Sequence, residues 1–572
     1  MKTIIGLPAS PGIASGPACV MVRGFLHVDR HPATEVQREL ARLESALDQV
    51  DTELDSLTRH ASEAVGEKEA GIFKAQQSIL RDPELKIRTT DMVKNEQVTI
   101  EFAWQEAIRY FSEALRRLDN EYLAIRAVDV DDVGQRVLSV LLNRSERQIN
   151  LDKPSIVVAE DLAPSDTLVL DRDKVLAFCT RRGGPTSHVV ILSKALGIPC
   201  IVGLGEGLDE VDDGDFLIVD GHLGKLLLDP DPDTIRDYEL MATHDRSQLE
   251  DAERIAGLPA VTLDGQHVEV VANVGSLKDA NEALIKGAEG IGLLRTEFLF
   301  LDRTKAPDQD EQISQYSEIF KVMGNSKPLV VRTLDIGGDK PVSYLNIQPE
   351  KNPFLGIRGI RLSLLNQKMF EDQLCALLIA GTGYDLRIMF PMVASLEELS
   401  QAQMILDKCR RELISKGRPI CERYQVGIMV EVPSAAIMAH AFSKNVDFFS
   451  IGTNDLSQYT LAAERTSAEV AYLADPFHPA ILELIRRVVE AAHEQKKWVG
   501  LCGEFAGDPL AAPLLLGLGL DELSASPKLI PRMKQTIRTL NQQDCNFLAQ
   551  EALRLTSAKA VREYLHRNKI QI

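Results

Sequence analysis

The segments QVGIMVEVP, residues 425–433, and FFSIGTND, residues 448–455, each place polar residues directly after a short apolar run. A stretch of helical character separates them, and the same alternation of strand, polar loop and helix recurs from residue 261 to residue 572. The strands are predicted in VEVVANV, GIGLLR, PLVVRTLD, IRGIRL, LRIMFPM, QVGIMVEVP, FFSIGTND and WVGLCGE. Eight strands that alternate with helices predict a (β/α)8 barrel, whose active site lies at the C-terminal ends of its strands.

The residues at these strand ends have side chains of the kinds that bind ligands or take part in catalysis. In chain order they are Arg295, Glu297, Arg332, Asp335, Arg358, Glu431, Asn454, Asp455, Cys502 and Glu504. Arginine forks suit phosphate and carboxylate oxygens, and the carboxylates Glu431 and Asp455 suit a Mg²⁺ ion that keeps sites for substrate oxygens. The GGDK turn after Asp335 brings Lys340 near such an anion. We therefore expect an anionic phosphate ester bound together with a divalent metal.

Each strand-end residue also has a structural explanation. An arginine or aspartate in such a position often makes a salt bridge or caps a helix. A buried structural thiol is the ordinary interpretation of Cys502. The functional interpretation is favoured because so many of these residues converge on the face where barrels carry their active sites.

The composition of the whole chain excludes several classes of protein. The 572 residues carry a formal charge of −20, which argues against a nucleic-acid partner because such binding needs clustered Lys and Arg. Met1 leads into KTIIGLPASPGIASG without the features of a signal peptide, and no stretch is apolar enough to be inserted in a membrane. Eight scattered cysteines without a CxxC motif indicate reduced thiols. An acidic cytoplasmic enzyme is expected.

The pattern of apolar residues divides the chain upstream of the barrel into distinct regions. Short strand-like runs in residues 1–25 and 146–230 predict one α/β domain, and three- and four-residue apolar steps in residues 26–145 predict a helical bundle inserted into it. The charged residues 231–260 predict a connecting helix, followed by the barrel in residues 261–572. The predicted fold class is therefore a multidomain α/β protein.

The α/β domain contains GGPTSH, which ends in His188. A lone histidine is most often structural, and the glycines alone could form an ordinary turn. However, the flexible approach, the two hydroxyl residues and the start of a helix together favour an anion beside the imidazole. Imidazole is neutral and nucleophilic near neutral pH. This arrangement predicts a histidine that carries a phosphoryl group.

Seven segments together resemble the enzyme I family of the bacterial phosphotransferase system, the phosphoenolpyruvate-protein phosphotransferases. They are GGPTSHVVILSKALGIPCIVG, EGIGLLRTEFLFLDR, VVRTLDIGGDKPV, NPFLGIRGIR, VEVPSAA, VDFFSIGTNDLSQYTLAAER and GLCGEFAGD. The resemblance extends over essentially the whole chain, from PASPGIASGPA near the start through DNEYLAIRAVDVDDVGQRVL. It implies that the α/β domain swivels, that HPr docks on the helical insertion, and that two barrels form a homodimer.

The resemblance also implies a role for individual residues. His188 is the nucleophile that phosphoenolpyruvate phosphorylates, with release of pyruvate, and that passes the phosphoryl group to a histidine of HPr. Cys502 is the acid that protonates the enolate of pyruvate, and Thr167 hydrogen-bonds the histidine. The substrate contacts are Arg295, Arg332, Asn454, Asp455, Arg465, Lys340 and Arg358, and the Mg²⁺ ligands are Glu431 and Asp455.

One residue departs from the family pattern. Pro185 stands where the family usually has arginine, and Arg181 or Arg182 could replace that cation. This departure puts the rate of transfer or the choice of carrier in question.

Two other functions fit parts of the sequence. A pyruvate-phosphate dikinase or phosphoenolpyruvate synthase shares the histidine and barrel domains, but it needs an ATP-grasp domain for which this chain has neither the length nor the Gly-rich loop. A regulatory docking protein would keep the fold without turnover, yet every predicted catalytic position is occupied.

Overall fold

The fold is described from a computed structural model. It describes the chain apart from residues 22–27, 34, 65–66, 118–120, 144–150, 163–169, 184–186, 302, 338–341, 343, 346–349, 466–469 and 569–572. The chain divides into two compact units, Met1–Arg246 and Ser247–Ile572. Among the described residues, no helix combines the length and the apolar character that crossing a membrane requires.

The first unit contains an eight-stranded sheet that joins the N-terminus to residues far along the chain. Its strands are β1 (Lys2–Ile5), β2 (Leu7–Ser10), β3 (Ile13–Met21), β4 (Ser155–Ala159), β5 (Val175–Thr180), β6 (Cys200–Val202), β7 (Phe216–Asp220) and β8 (Lys225–Leu228), in the spatial order β1-β8-β7-β3-β4-β5-β6-β2. The strands β3 to β6 pair in parallel, and the other pairs are antiparallel. The N-terminal strands thus complete a sheet whose other strands follow the helical insertion.

Long helices separate the two parts of this sheet in sequence. They are α1 (Val36–Ala64), α2 (Glu67–Leu80), α3 (Pro83–Glu96), α4 (Ile100–Arg117) and α5 (Glu121–Leu141). The apolar seam of α1 lies in their common core, where Leu43, Val50 and Leu54 are buried. Two further helices are α6 (His188–Leu196), which follows GGPTSH, and α7 (Pro232–Arg254), which crosses the boundary between the units.

The second unit is a closed barrel of eight parallel strands. They are β9 (Glu269–Val274), β10 (Ile291–Leu294), β11 (Pro328–Arg332), β12 (Asp385–Phe390), β13 (Tyr424–Val430), β14 (Phe448–Ile451), β15 (Trp498–Leu501) and β16 (Glu522–Ala525). Its helices are α8 (Leu277–Ile285), α9 (Gln309–Met323), α10 (Ile360–Leu365), α11 (Gln367–Ala380), α12 (Leu396–Ser415), α13 (Pro433–Ile437), α14 (Ala439–Phe442), α15 (Thr453–Leu461), α16 (Pro479–His493), α17 (Ala512–Gly517), α18 (Ile530–Thr539), α19 (Gln542–Ala552) and α20 (Ala558–Arg567). The predicted barrel is confirmed.

The assignment of one strand was wrong. IRGIRL is not a strand, because Gly359 has a left-handed φ of 56° and α10 begins at Ile360. A short apolar run fits a buried helix as well as a strand. The eighth strand is instead the four-residue β16, so Cys502 follows the seventh strand and Asp455 follows the sixth.

Candidate active site

Arg332, the last residue of β11, lies at the centre of a buried ion-pair cluster. Its Nη2 donates to Glu297 Oε1 at 2.7 Å, and its Nη1 is 3.1 Å from Asp335 Oδ2. Its Nε is also buried and has no hydrogen-bond partner among the described residues. Leaving a buried donor unsatisfied is costly, so this atom indicates a place for an acceptor from a ligand.

Arg358 binds two carboxylates at once. Its Nε and Nη2 donate to Asp335 at 3.0 and 3.1 Å, and its Nη1 and Nη2 donate to Asp455 at 3.1 and 3.2 Å. All three guanidinium nitrogens are therefore used within the protein. This geometry fixes the loop after β11 against the start of α15, where Asp455 lies.

Glu431 directly follows β13 and is almost fully buried. The backbone N–H of Met392 donates to its Oε1 at 2.5 Å, from a residue whose left-handed φ of 57° turns the chain after β12. Burial, together with the charges of Asp335 and Asp455, raises the pKa of Glu431 to about 8. A nearby cation would restore the ionised form of this carboxyl.

The donor set suits the magnesium ion that the resemblance implies. The cluster around Arg332 and Arg358 contains four carboxyl groups, those of Glu297, Asp335, Glu431 and Asp455. With all four ionised, the two arginines leave a net charge of −2, which one divalent cation would balance. Among the described residues, no group of three or more His, Cys, Asp or Glu side chains is placed to hold a metal. That finding is compatible with Mg²⁺, which is commonly held by one or two carboxylates together with waters and substrate phosphate.

Cys502 follows β15 and faces the barrel interior, in a cluster with Met429 and Leu293. Burial raises the pKa of its thiol to about 11, although the Ser450 hydroxyl and Arg332 act in the opposite direction. The thiol therefore holds its proton at neutral pH. A protonated thiol beside an arginine cluster can supply a proton to a bound molecule.

The loops after β14 and β15 approach each other closely. Cys502 N donates to Ile451 O at 3.0 Å, and Glu504 N donates to the side-chain Oδ1 of Asn454 at 3.2 Å. A Cβ atom on Gly503 would lie 1.9 Å from Thr453 Oγ1. The absence of a side chain at Gly503 thus allows Cys502 and Asn454 to share one site.

The other predicted substrate contacts lie outside this buried cluster. Arg295, directly after β10, and Arg465, after α15, have exposed side chains. Lys340 lies outside the residues that the structure describes. Exposed arginines at the edge of a site can reach an anion without first breaking a buried ion pair.

The predicted phosphoryl acceptor lies at the start of a helix. His188 is the first residue of α6, and Ser187 is its N-cap. Only the backbone of His188 is described, and Thr167 and Pro185 lie outside the described residues. A helix N-terminus presents free N–H groups to an anion, which agrees with the predicted role.

The two arginines considered as replacements for the missing cation are engaged in ion pairs. Arg181 contacts Asp209 and lies 3.3 Å from Glu160, and Arg182 lies 3.1 Å from the same glutamate. Arg182 is the more exposed, at 76 % of its side chain. Replacement of the family arginine by either residue stays a prediction.

Sequence reasoning missed the contacts of Met392 and Tyr459 with the site. Met392 N–H holds Glu431, while Tyr459 receives a hydrogen bond of 3.5 Å from Arg358 and donates its own to Phe354 O. The position of Met392 just after β12 was a usable signal, since the strand ends converge. Tyr459 gave no such signal, because it lies within α15.

The comparisons with known proteins agree along the whole chain. Three family models match: the N-terminal domain of PEP-utilising enzymes at residues 5–126, their mobile domain at 151–224 and their PEP-binding domain at 250–542. A phosphoenolpyruvate-protein phosphotransferase of Geobacillus stearothermophilus is 44% identical, and the match covers 99% of this chain and 98% of the relative. One from Bacillus sp. (strain S) is 43% identical with the same coverage.

A solution structure of an enzyme I protein is 35% identical over 42% of this chain and 99% of its own, with a TM-score of 0.37. The full-length relatives and the three domain matches carry the assignment without it. The chain belongs to the PEP-utilising enzyme family, among the phosphoenolpyruvate-protein phosphotransferases.

Proposed function

We propose that this chain transfers the phosphoryl group of phosphoenolpyruvate to His188 and from there to a histidine of the carrier protein HPr. The observation that carries the proposal is the buried cluster around Arg332 at the barrel's C-terminal end, in a chain that matches relatives of this activity over its full length.

The anionic substrate binds where arginine donors converge. Arg332 offers its unsatisfied Nε, and the exposed Arg295 and Arg465 can close on the phosphate and carboxylate groups. Asn454 and Lys340 complete the predicted contacts. Arg358 acts chiefly by holding Asp335 and Asp455, because its guanidinium nitrogens are already used there.

Glu431 and Asp455 are the proposed ligands of Mg²⁺. When bound, this ion would neutralise charge on the phosphate oxygens during transfer. The protein's own part is to hold the two carboxylates in place, through Met392 N–H for Glu431 and through Arg358 for Asp455.

The transfer itself exchanges one bond for another. A ring nitrogen of His188 attacks the phosphorus, the bond between phosphorus and the enol oxygen breaks, and the enolate of pyruvate is left. Cys502 then gives its proton to the methylene carbon, which yields pyruvate, and its thiolate recovers a proton from solvent. The buried, protonated thiol supports this role.

The remaining features of the proposal come from the family. HPr docks on the helices between Val36 and Leu141, and two barrels associate as a homodimer. All eight cysteines are free thiols, which fits the reducing cytoplasm.

Phosphorylation of the purified full-length chain tests the proposal. Phosphoenolpyruvate and Mg²⁺ should leave an acid-labile phosphoryl group that maps to His188 under alkaline conditions, with one pyruvate released per group. His188→Gln is the matched control and should accept none. Label on another residue would contradict the assignment.

The same assay separates the two rival functions. A dikinase would require a nucleotide for turnover, and a docking protein would release no pyruvate with or without HPr. We expect HPr to become labelled in the absence of any nucleotide.

A further inference from the structure

Gln373 is a buried polar residue of α11 that has no part in the proposed reaction. Its side chain is 1% exposed, yet every hydrogen-bonding group of its amide has a partner. Oε1 accepts from Leu334 N at 3.0 Å, while Nε2 donates to Thr296 Oγ1 and to Tyr316 Oη, both at 3.2 Å. A fully satisfied buried amide fixes the groups that it joins.

Thr296 and Leu334 lie in the loops after β10 and β11, beside the predicted substrate arginines. Thr296 stands between Arg295 and Glu297, directly after β10, and Leu334 stands two residues after Arg332. The two loops are also joined directly, because Thr296 Oγ1 donates to Arg332 O at 3.0 Å. A single side chain from the outer helical layer therefore ties both loops together.

The neighbours of Gln373 determine which way its amide points. The Thr296 hydroxyl uses its proton on Arg332 O, and the Tyr316 hydroxyl uses its own on Gln312 Oε1 at 3.3 Å. Gln312 is held in turn, because its Nε2 donates to Pro307 O at 3.2 Å. Both hydroxyl oxygens must accept, so they require two N–H donors from Gln373, while Leu334 N–H requires an acceptor. Glutamine supplies this combination, whereas ionised glutamate has no donor.

We propose that Gln373 is a positioning residue that sets the spacing of Arg295 and Arg332 for phosphoenolpyruvate. The inference rests on the proposed function, in which both arginines bind that substrate. It assigns to α11 a part in recognising the anion, although Gln373 itself does not touch it.

The consequence of losing Gln373 follows from the bonds that it makes. Gln373→Met keeps the length and burial of the side chain but leaves Leu334 N–H without its acceptor and the two hydroxyls without their donor. The loops after β10 and β11 then keep only the direct bond from Thr296 Oγ1 to Arg332 O. A misplacement of about 1 Å can cost roughly a hundredfold in rate, so we expect kcat/KM for phosphoenolpyruvate to fall by about 10- to 100-fold. Most of this change should appear as a higher KM.

The test uses the full-length chain and three readouts. These are KM and kcat for pyruvate release, the Kd of phosphoenolpyruvate by calorimetry, and transfer back from phosphorylated HPr to His188. Gln373→Met and Gln373→Glu should both raise KM and Kd by about tenfold or more. Back-transfer should stay at the wild-type rate, because it does not use the barrel arginines.

Gln425→Met is the matched control. Gln425 lies in β13 and accepts from Trp498 Nε1 at 3.0 Å, near the N-terminal ends of the strands. This control loses a barrel hydrogen bond far from the loops after β10 and β11, so its melting temperature should fall while KM for phosphoenolpyruvate stays unchanged. A Gln373→Met protein with a lower melting temperature but wild-type KM and Kd would overturn the proposal.

Milder variants keep the proposal testable if Gln373→Met does not fold. Thr296→Val removes the hydroxyl that links the two loops, and Thr296→Ser restores it. We expect a raised KM in the first and a KM near wild type in the second, and equal values in the two variants would overturn the inference.

Calorimetry distinguishes failure of the proposed function from failure of the role assigned to Gln373. A wild-type chain that binds phosphoenolpyruvate but releases no pyruvate would contradict the proposed function alone, and Gln373 would still be judged by Kd. A wild-type chain that does not bind phosphoenolpyruvate would overturn both.

Discussion

Substitution of Gly503 by alanine tests how closely the loops after β14 and β15 must approach. The added Cβ would lie 1.9 Å from Thr453 Oγ1 and 3.0 Å from Thr453 N. Carbon contacts are ordinarily about 3.5 Å or longer, so rotation of the threonine hydroxyl cannot remove the whole clash. The two loops have to separate by about 0.5 Å even after that rotation.

This separation would move Cys502, the proposed proton donor, and Asn454, a predicted substrate contact, because the loops share short hydrogen bonds. Cys502 N donates to Ile451 O at 3.0 Å, and Glu504 N donates to Asn454 Oδ1 at 3.2 Å. Overpacking of this kind costs about 1–3 kcal/mol of stability. Since a shift of about 1 Å can cost a hundredfold, we expect kcat/KM for phosphoenolpyruvate to fall by about tenfold or more in Gly503→Ala.

Steady-state release of pyruvate, together with the melting temperature, measures both effects. Gly257→Ala is the control, because a Cβ on Gly257 would meet nothing within 4 Å. The double variant Thr453→Ala with Gly503→Ala removes the closest contact. It should recover part of the activity that Gly503→Ala loses, with the two single variants measured as references. If Gly503→Ala retained kcat/KM within twofold of wild type, the close approach would have no importance for the site.

Three further changes have distinct expected outcomes. Cys502→Ala should slow proton exchange at the methyl group of pyruvate by about 100-fold or more, while the Kd of phosphoenolpyruvate measured by calorimetry changes little; equal losses of both would make the thiol structural. Burial raises the pKa of Glu522 from its ordinary value of 4.5 to about 8, although the charge of Arg387 acts in the opposite direction. Between these two pH values the folded barrel keeps a proton on Glu522 that the unfolded chain has released. The free energy of unfolding of the wild type should therefore fall as the pH rises from 5 to 8. Measured by urea unfolding, Glu522→Gln should gain about 3 kcal/mol of stability relative to wild type over that range. Parallel pH profiles of the two proteins would contradict the pKa shift. Arg562→Lys should lower barrel stability by about 1 kcal/mol in the same measurement, because lysine cannot reproduce the two bonds of 3.1 and 3.0 Å to the partly exposed Asp475; an unchanged value would show that the pair is dispensable.

The fold could be predicted because the alternation of strand and helix is a local signal. It identified seven of the barrel strands, and the family and the barrel are confirmed. The remaining strand was missed for a physical reason. β16 begins with the carboxyl side chain of Glu522, whereas the apolar Ile360 and Leu362 are buried side chains of the helix α10. Local apolar content does not distinguish these cases.

The buried part of the site could be predicted from the same alternation of strand and helix. Parallel strands end at one face of a barrel, so residues distant in sequence, such as Arg332, Glu431 and Asp455, could be expected to converge there. The partners of Arg358 could not be predicted, because it lies in a long connection whose path depends on the tertiary fold. The contribution of Gln373 was equally hidden, since a glutamine within a helix gives no sign of the backbone that it supports.

The two buried arginines differ in a way that separates binding from preorganisation. Arg332 keeps one donor, Nε, without a partner among the described residues, and its two ion pairs hold the other two nitrogens towards Glu297 and Asp335. Each guanidinium nitrogen of Arg358 already donates to a carboxylate, either that of Asp335 or that of Asp455. An anion arriving at the site can therefore gain a hydrogen bond from Arg332 without loss of an existing one, whereas it would have to displace Asp335 or Asp455 to gain one from Arg358. Groups that are already oriented need no reorganisation during the reaction. This difference favours direct contact with the substrate for Arg332, and for Arg358 the task of holding the carboxylates in place before the substrate arrives.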